Sequence, residues 1–216
     1  FVLSRMSSRF LPFAFCIRFV FAFHRDCALH WPGSSRDPFL PDLPMVSELQ
    51  PVASNVSRRG PAFAALWAIA CIALYFLWRL FWFLTDDAFI AFRYISNARS
   101  GHGYVWNPPP FRPVEGYTSF LWVALLDFVW RATEIEPPEA ANWIALGFAF
   151  GTLGLTVATM ARLRLRPALA RARIGLAALA LVFVLSNRTF LAWTSSGLET
   201  AMFNFWLTGW LWSCLF

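Results

Sequence analysis

Residues 62–84, AFAALWAIACIALYFLWRLFWFL, form an apolar run whose single charge is Arg79. Coiled as an α-helix at 1.5 Å per residue, the run reaches about 34 Å, enough to cross a hydrocarbon core of about 30 Å. The whole chain leans the same way: of 216 residues, 58% are hydrophobic and 14% charged. A soluble domain sits nearer to half apolar and about a quarter charged, so this composition argues for a membrane protein. The net charge is +6, and every one of the 18 basic residues is Arg. These cations flank apolar runs instead of forming a polar basic face, a pattern that sets membrane topology and argues against a nucleic-acid partner. The four cysteines, Cys16, Cys27, Cys71 and Cys214, have no metal-ligand spacing, and the last two lie in apolar runs. Neither a zinc site nor a disulfide framework is expected.

Three more spans are read after the first: near 143–161, near 174–190 and near 200–216. Arg58 and Arg59 precede the first span, while Asp86 and Asp87 follow it. By the positive-inside rule the N-terminal side is cytoplasmic and the two aspartates lie outside. Residues 118–130 are apolar for too short a stretch to span and contain Asp127. If they crossed, Arg162, Arg164, Arg166, Arg171 and Arg173 would face outward. Laid along the surface, they leave that cluster cytoplasmic. The expected fold is therefore all-α and integral to the membrane, a multi-span helical bundle whose long outer first loop carries two interfacial helices. Residues 1–60 read as an unstructured or extraneous segment, and 61–216 as the membrane domain.

The first outer loop holds most of the polar chemistry. Helical spacing from Asp86 to Gly101 puts Phe89, Phe92 and Ile95 on one face, with Arg93, Asn97 and Ser100 near the other. Asp86 and Asp87 open this helix, where acidic groups cap free amides and favour the helix dipole. The functional alternative is that a carboxylate at the water–lipid boundary acts as a base or binds a metal. Arg93 is a candidate contact for lipid phosphate or a headgroup anchor. His102 is a candidate ligand or phosphate contact in the Gly101–Gly103 turn. Glu115 and Glu199 each stand at the start of a helix, open to a binding or a capping role.

Three blocks of these residues carry a resemblance. They are Thr85-Asp-Asp-Ala-Phe-Ile-Ala-Phe-Arg-Tyr94, Gly101-His-Gly-Tyr-Val-Trp-Asn-Pro108 with Pro113-Val-Glu-Gly-Tyr-Thr-Ser119, and Ser196-Gly-Leu-Glu-Thr-Ala-Met-Phe203. In this order and spacing they resemble the outer-loop signatures of membrane glycosyltransferases of the GT-C type that use polyprenyl-phosphate sugars. The cell-wall terminal arabinofuranosyltransferases and related bacterial membrane proteins are the nearest in pattern. The resemblance spans roughly residues 60–216 and implies a location in the bacterial inner membrane. It also implies sugar transfer from a polyprenyl-phosphate donor to a cell-envelope acceptor hydroxyl, with inversion. By the same resemblance Asp86 or Asp87 is the catalytic base, and the pair is a possible site for Mg²⁺ or Mn²⁺. Arg93, His102, Glu115 and Glu199 become second-tier contacts to phosphate or substrate. Family members carry more spans, so the chain is expected to be the N-terminal part of a larger enzyme.

Two rival readings stand beside this one: a transporter or flippase of lipid-linked sugars, and a non-catalytic membrane subunit. The topology can be tested without reference to activity. Single cysteines placed near Asp87 and near Glu136 should both react with a membrane-impermeant maleimide added from outside. Labelling near Glu136 from the cytoplasmic side alone would overturn the surface placement of residues 118–130.

Overall fold

The structure, a computed structural model, describes the backbone of residues 50–114 and 116–216, and side chains from Gly60 onward with the same gap. The chain divides into two units, Phe1–Pro61 and Ala62–Phe216, and the packed helices belong to the second. Most of the segment expected to be extraneous lies outside the described residues, although the first helix already begins at Gln50. The described residues are helical throughout, with no strand. In chain order the helices are α1 (Gln50–Leu80), α2 (Asp86–Arg99), α3 (Phe120–Thr133), α4 (Pro137–Arg162), α5 (Pro167–Arg171), α6 (Arg173–Ser186), α7 (Arg188–Thr194) and α8 (Thr200–Leu215).

Two segments are long and apolar enough to cross a membrane, Gly60–Leu80 and Pro137–Arg162. A third is possible if α6 and α7, bent by 66° at Asn187, count as one broken span. The expected third span is thus a helix interrupted at Asn187, where the backbone turns extended and the side chain caps α7 by accepting from the Phe190 N–H. The expected fourth falls on α8, which is helical over Thr200–Leu215. Between α1 and α4 lie α2 and α3, of 14 residues each and about 21 Å long, neither of which reaches across a bilayer.

Helix α4 organises the packing. Leu146, Ala149, Leu153 and Val157 join Phe63, Ala70, Leu74 and Trp78 of α1 and Ala177 and Leu181 of α6 in one apolar core. Ala141 and Ala145, nearer its N-terminus, join Ala88, Phe92 and Ile95 of α2 and Trp122 and Leu126 of α3 in a second. One helix therefore supports both the bundle and the α2–α3 layer. The buried residues of α1 recur at steps of seven, four and four, a single stripe. Its other faces expose Ile69, Ile72, Phe76 and Leu80, while α6 exposes Phe183 and α8 exposes Phe203, Trp206 and Trp210. A helix that is apolar all round but buried on one stripe suits a hydrocarbon solvent, since in water this surface would drive association.

Small residues let α4 approach its neighbours. A Cβ added at Gly151 would lie 2.6 Å from the Phe205 ring of α8, and one at Gly154 would lie 3.3 Å from the Trp67 indole nitrogen of α1. That indole donates to the Phe150 carbonyl at 3.1 Å, so the α1–α4 contact is polar as well as close. Gly175 of α6 has nothing within 4 Å of its would-be Cβ. Gly151→Ala is expected to destabilise by about 1–3 kcal/mol through overpacking, whereas Gly175→Ala should gain up to about 1 kcal/mol of helix propensity. Thermal unfolding in detergent reads both; an unchanged or raised Tm for Gly151→Ala would contradict the close α4–α8 approach.

Candidate functional site

Helix α1 ends at Leu80, and the chain then runs without regular structure to α2 at Asp86. The Phe81 N–H still donates back into α1, but the other backbone groups of this stretch must find partners elsewhere. The Ser195–Gly197 turn between α7 and α8 supplies them. The Phe83 N–H donates to the Ser195 carbonyl at 3.4 Å, and the Thr85 N–H to the Ser196 carbonyl at 3.1 Å. In return Ser195 Oγ donates to the Phe81 carbonyl at 2.6 Å. Asn142 of α4, fully buried, donates from Nδ2 to the Phe83 carbonyl at 3.1 Å.

Gly197 closes this joint. Its φ of +84° is a left-handed conformation, and a Cβ there would meet Leu84 Cδ2 at 2.6 Å and Ala88 Cβ at 3.1 Å. Its carbonyl accepts from the Trp122 indole N–H at 3.1 Å, which brings α3 to the same point. Two sequence blocks more than a hundred residues apart, Thr85-Asp-Asp and Ser196-Gly-Leu-Glu-Thr, are therefore joined through their backbones.

Asp86 and Asp87 form the first turn of α2 just beyond that joint, and both are exposed. Thr85 makes no side-chain cap. Among the described residues neither aspartate carboxylate is engaged in a hydrogen bond or ion pair. Hydrogen-bonded capping, the structural explanation for an acidic pair here, is thus not realised, and the dipole term alone remains. As successive residues of a helix the two carboxylates do not face each other, so by themselves they form no preset cation cage. Among the described residues no three of His, Cys, Asp or Glu gather into a fuller cage.

The C-terminal half of α2 grips the following loop. The helix ends in a Schellman arrangement: Gly101, at φ +86°, donates to the Ala98 carbonyl, and the His102 N–H donates to the Asn97 carbonyl. Asn97 Nδ2 donates to the carbonyls of Val105 and Trp106 at 2.7 and 3.1 Å. Arg93, one turn earlier, donates from Nε to the Trp106 carbonyl at 3.1 Å and lays its guanidinium 4.2 Å from the Trp106 ring centre. The Tyr94 hydroxyl donates to the Val114 carbonyl at 3.1 Å, and its ring packs edge-on against Tyr117.

A further anchor comes from α3. The nearly buried Asp127 accepts from the Tyr104 hydroxyl at 2.5 Å and from Arg131 Nε at 2.9 Å. The hydrogen bond to this carboxylate, with burial and the negative charge beside it, raises the Tyr104 phenol above its ordinary value near 10. Burial is supportable because the carboxylate has two partners, one of them cationic.

The expected site residues are thus spread along one helix. Asp86, Asp87 and the turn carrying Glu199 converge at the N-terminal end of α2, with Glu199 half-buried just before α8. Arg93 lies two turns on, exposed but committed through Nε to the loop. His102 is exposed past the opposite end of α2, about 20 Å from the acidic pair, and is not brought to it. Glu115 lies outside the described residues. Sequence reasoning missed Asn142 and, although Gly197 lies in one of the blocks that carry the resemblance, missed the framework role of Ser195 and Gly197. Ser-Ser-Gly between two apolar helices and an Asn at the head of an apolar run were the available signals. Asp127 and Arg131, four apart in an otherwise apolar helix, likewise mark an ion pair.

Gly197→Ala should destabilise by about 2 kcal/mol or more and expose Phe81–Thr85 to protease, because it combines a strained φ with a clash against the Leu84 and Ala88 side chains. Wild-type protease resistance in that variant would contradict the joint. Asp127→Asn should bring the Tyr104 titration back down toward 10, read as phenolate absorbance with Tyr104→Phe as the blank. The sign follows from linkage: a raised phenol holds its proton longer in the folded state, so this cluster's contribution is whole below pH 10 and lost as pH rises beyond it. An unshifted titration in Asp127→Asn would rule out the contact.

Compared with known protein families, with curated proteins and with solved structures, the chain matches none.

Proposed function

We propose that this protein transfers a sugar from a polyprenyl-phosphate donor to a cell-envelope hydroxyl at the outer membrane surface, with Asp86 and Asp87 at the reacting centre. The observation that carries the reading is the state of that pair: two adjacent carboxylates, exposed and unengaged among the described residues, at the start of a helix tied down by the Ser195–Gly197 turn and by Asn142. As the first two residues of α2 they favour the helix dipole without hydrogen-bonding to it, which leaves both carboxylates open to a ligand. Two of the three blocks that resemble polyprenyl-phosphate-sugar glycosyltransferases, those beginning at Thr85 and at Ser196, also meet at this joint, which supports the same reading.

The chemistry needs few groups. The acceptor oxygen attacks the anomeric carbon while one aspartate takes its proton; the bond from that carbon to the phosphate oxygen breaks on the opposite face, and the lipid phosphate departs as an anion. The transition state has oxocarbenium character, as in glycoside hydrolysis. The second aspartate orients the first, or helps to hold Mg²⁺ or Mn²⁺, which would supply positive charge to the departing phosphate. Arg93, with its Nη groups exposed above Trp106, is a further cation within reach of an anionic headgroup at the surface.

The bend of 66° between α6 and α7 favours a second reading, a transporter of lipid-linked sugars, because broken helices often line transport sites. The two readings separate in one assay. In membranes carrying the protein, transfer of radiolabelled sugar from polyprenyl phosphate should fall by about 10²- to 10⁴-fold in at least one of Asp86→Asn and Asp87→Asn, with insertion unchanged. Wild-type transfer in both variants would remove the mechanism. Movement of intact lipid-linked sugar across the membrane with no glycosidic bond broken would favour the transporter.

A further inference from the structure

At Asn187 the axis of α6 swings away into α7, and the bend opens a cavity of about 420 Å³ between α4, the elbow and α8. It is open to the surroundings on one side. Thr152 and Thr156 of α4, Asn204 and Thr208 of α8, and the rings of Phe190 and Trp193 line it, and no charged side chain does.

The hydrogen-bonding state of this lining is specific. Thr152 Oγ1 donates to the Phe148 carbonyl at 3.0 Å, Thr156 Oγ1 to the Thr152 carbonyl at 2.9 Å, and Thr208 Oγ1 to the Asn204 carbonyl at 2.7 Å. These three hydroxyls have therefore committed their one proton to their own helix and keep only lone pairs for anything else, whereas the hydroxyls of Thr189 and Thr200, which also line the cavity, make no such bond among the described residues and can donate as well as accept. The half-buried Asn204 carboxamide has no hydrogen-bond partner among the described residues and offers both donors and an acceptor. A charged ligand would meet no countercharge here, and a purely apolar one would leave these polar atoms unanswered. The complementary molecule is uncharged, brings O–H donors to the threonine oxygens, and has an apolar face for Phe190 and Trp193.

We propose that this cavity binds an uncharged, hydroxyl-bearing ligand, with its hydroxyls on Thr152, Thr156, Asn204 and Thr208 and its apolar part against the two rings. Neither Asp86 nor Asp87 lines it, so the proposal stands or falls separately from sugar transfer. The shared chemistry is that of a polyol, which reaches the site either as a lipid headgroup or as a free sugar.

The test uses the protein in phosphatidylcholine nanodiscs and a monoacylglycerol carrying a diazirine in its acyl chain. Photolabelling should concentrate on peptides containing Phe190–Trp193 and Asn204–Leu211. It should fall about fivefold or more in Asn204→Leu, the effect of losing roughly one hydrogen bond. The same loss should appear in the wild-type protein with a probe whose hydroxyls are methylated, a comparison that does not depend on the variant folding. Suppression by excess glucose would support the site and assign it to a free polyol; suppression by unlabelled monoacylglycerol alone would support it and assign it to a lipid headgroup. Labelling spread evenly over the exposed apolar faces, or equally strong with the methylated probe, would overturn the proposal.

Discussion

The joint between Phe81–Thr85 and Ser195–Gly197 is the constraint on which the arrangement of the α2–α3 layer depends. A chain leaving a membrane-length helix must satisfy its next few amides and carbonyls before another helix can begin. Here it does so against a turn more than a hundred residues later, with Asn142 contributing from a third helix. Once those bonds are made, the direction of α2 is set, because Gly197 sits against Leu84 and Ala88 with no room for a side chain. The same residue holds Trp122, so α3 is positioned by the point that positions α2.

Helix α4 connects this polar joint to the apolar bundle. Its N-terminal end presents Asn142 to the strap and alanines to α2 and α3, while its later turns pack α1, α6 and α8. A displacement of α4 would therefore be felt at the acidic pair through the strap. The energetic reason for concentrating polar contacts here is that hydrogen bonds shielded from water hold geometry more firmly than exposed ones. The cost is visible as well: Asn142 Oδ1 and the Trp78 indole nitrogen are buried without partners among the described residues.

Some of this was legible in the residues. The apolar run 62–84, the short apolar stretch around Asp127 and the Asp86–Gly101 amphipathic pattern correspond to α1, α3 and α2, because hydrophobic periodicity and length survive in any context. The acidic pair stood out for the same reason: two charges between apolar segments have few structural excuses. Contacts made by backbone groups could not be read. Ser196 and Gly197 act through carbonyls and a φ angle, Ser195 through its carbonyl and its hydroxyl, and nothing in these residue types says which distant strap they will hold. The bend at Asn187 was hidden likewise, since Asn suits either a capped new helix or a polar position in a continuous one. Arg93 shows the converse, a residue picked for charge whose Nε serves a loop carbonyl.

Amide hydrogen exchange followed by mass spectrometry tests the joint most directly. Peptides covering Phe81–Ala88 and Trp193–Thr200 should exchange slowly, at matching rates, as one cooperative unit, and Ser195→Ala should accelerate both together. Rapid exchange of Phe81–Thr85 while Trp193–Thr200 stays protected would show that the two segments are not joined, and that the acidic pair is not held where this structure puts it.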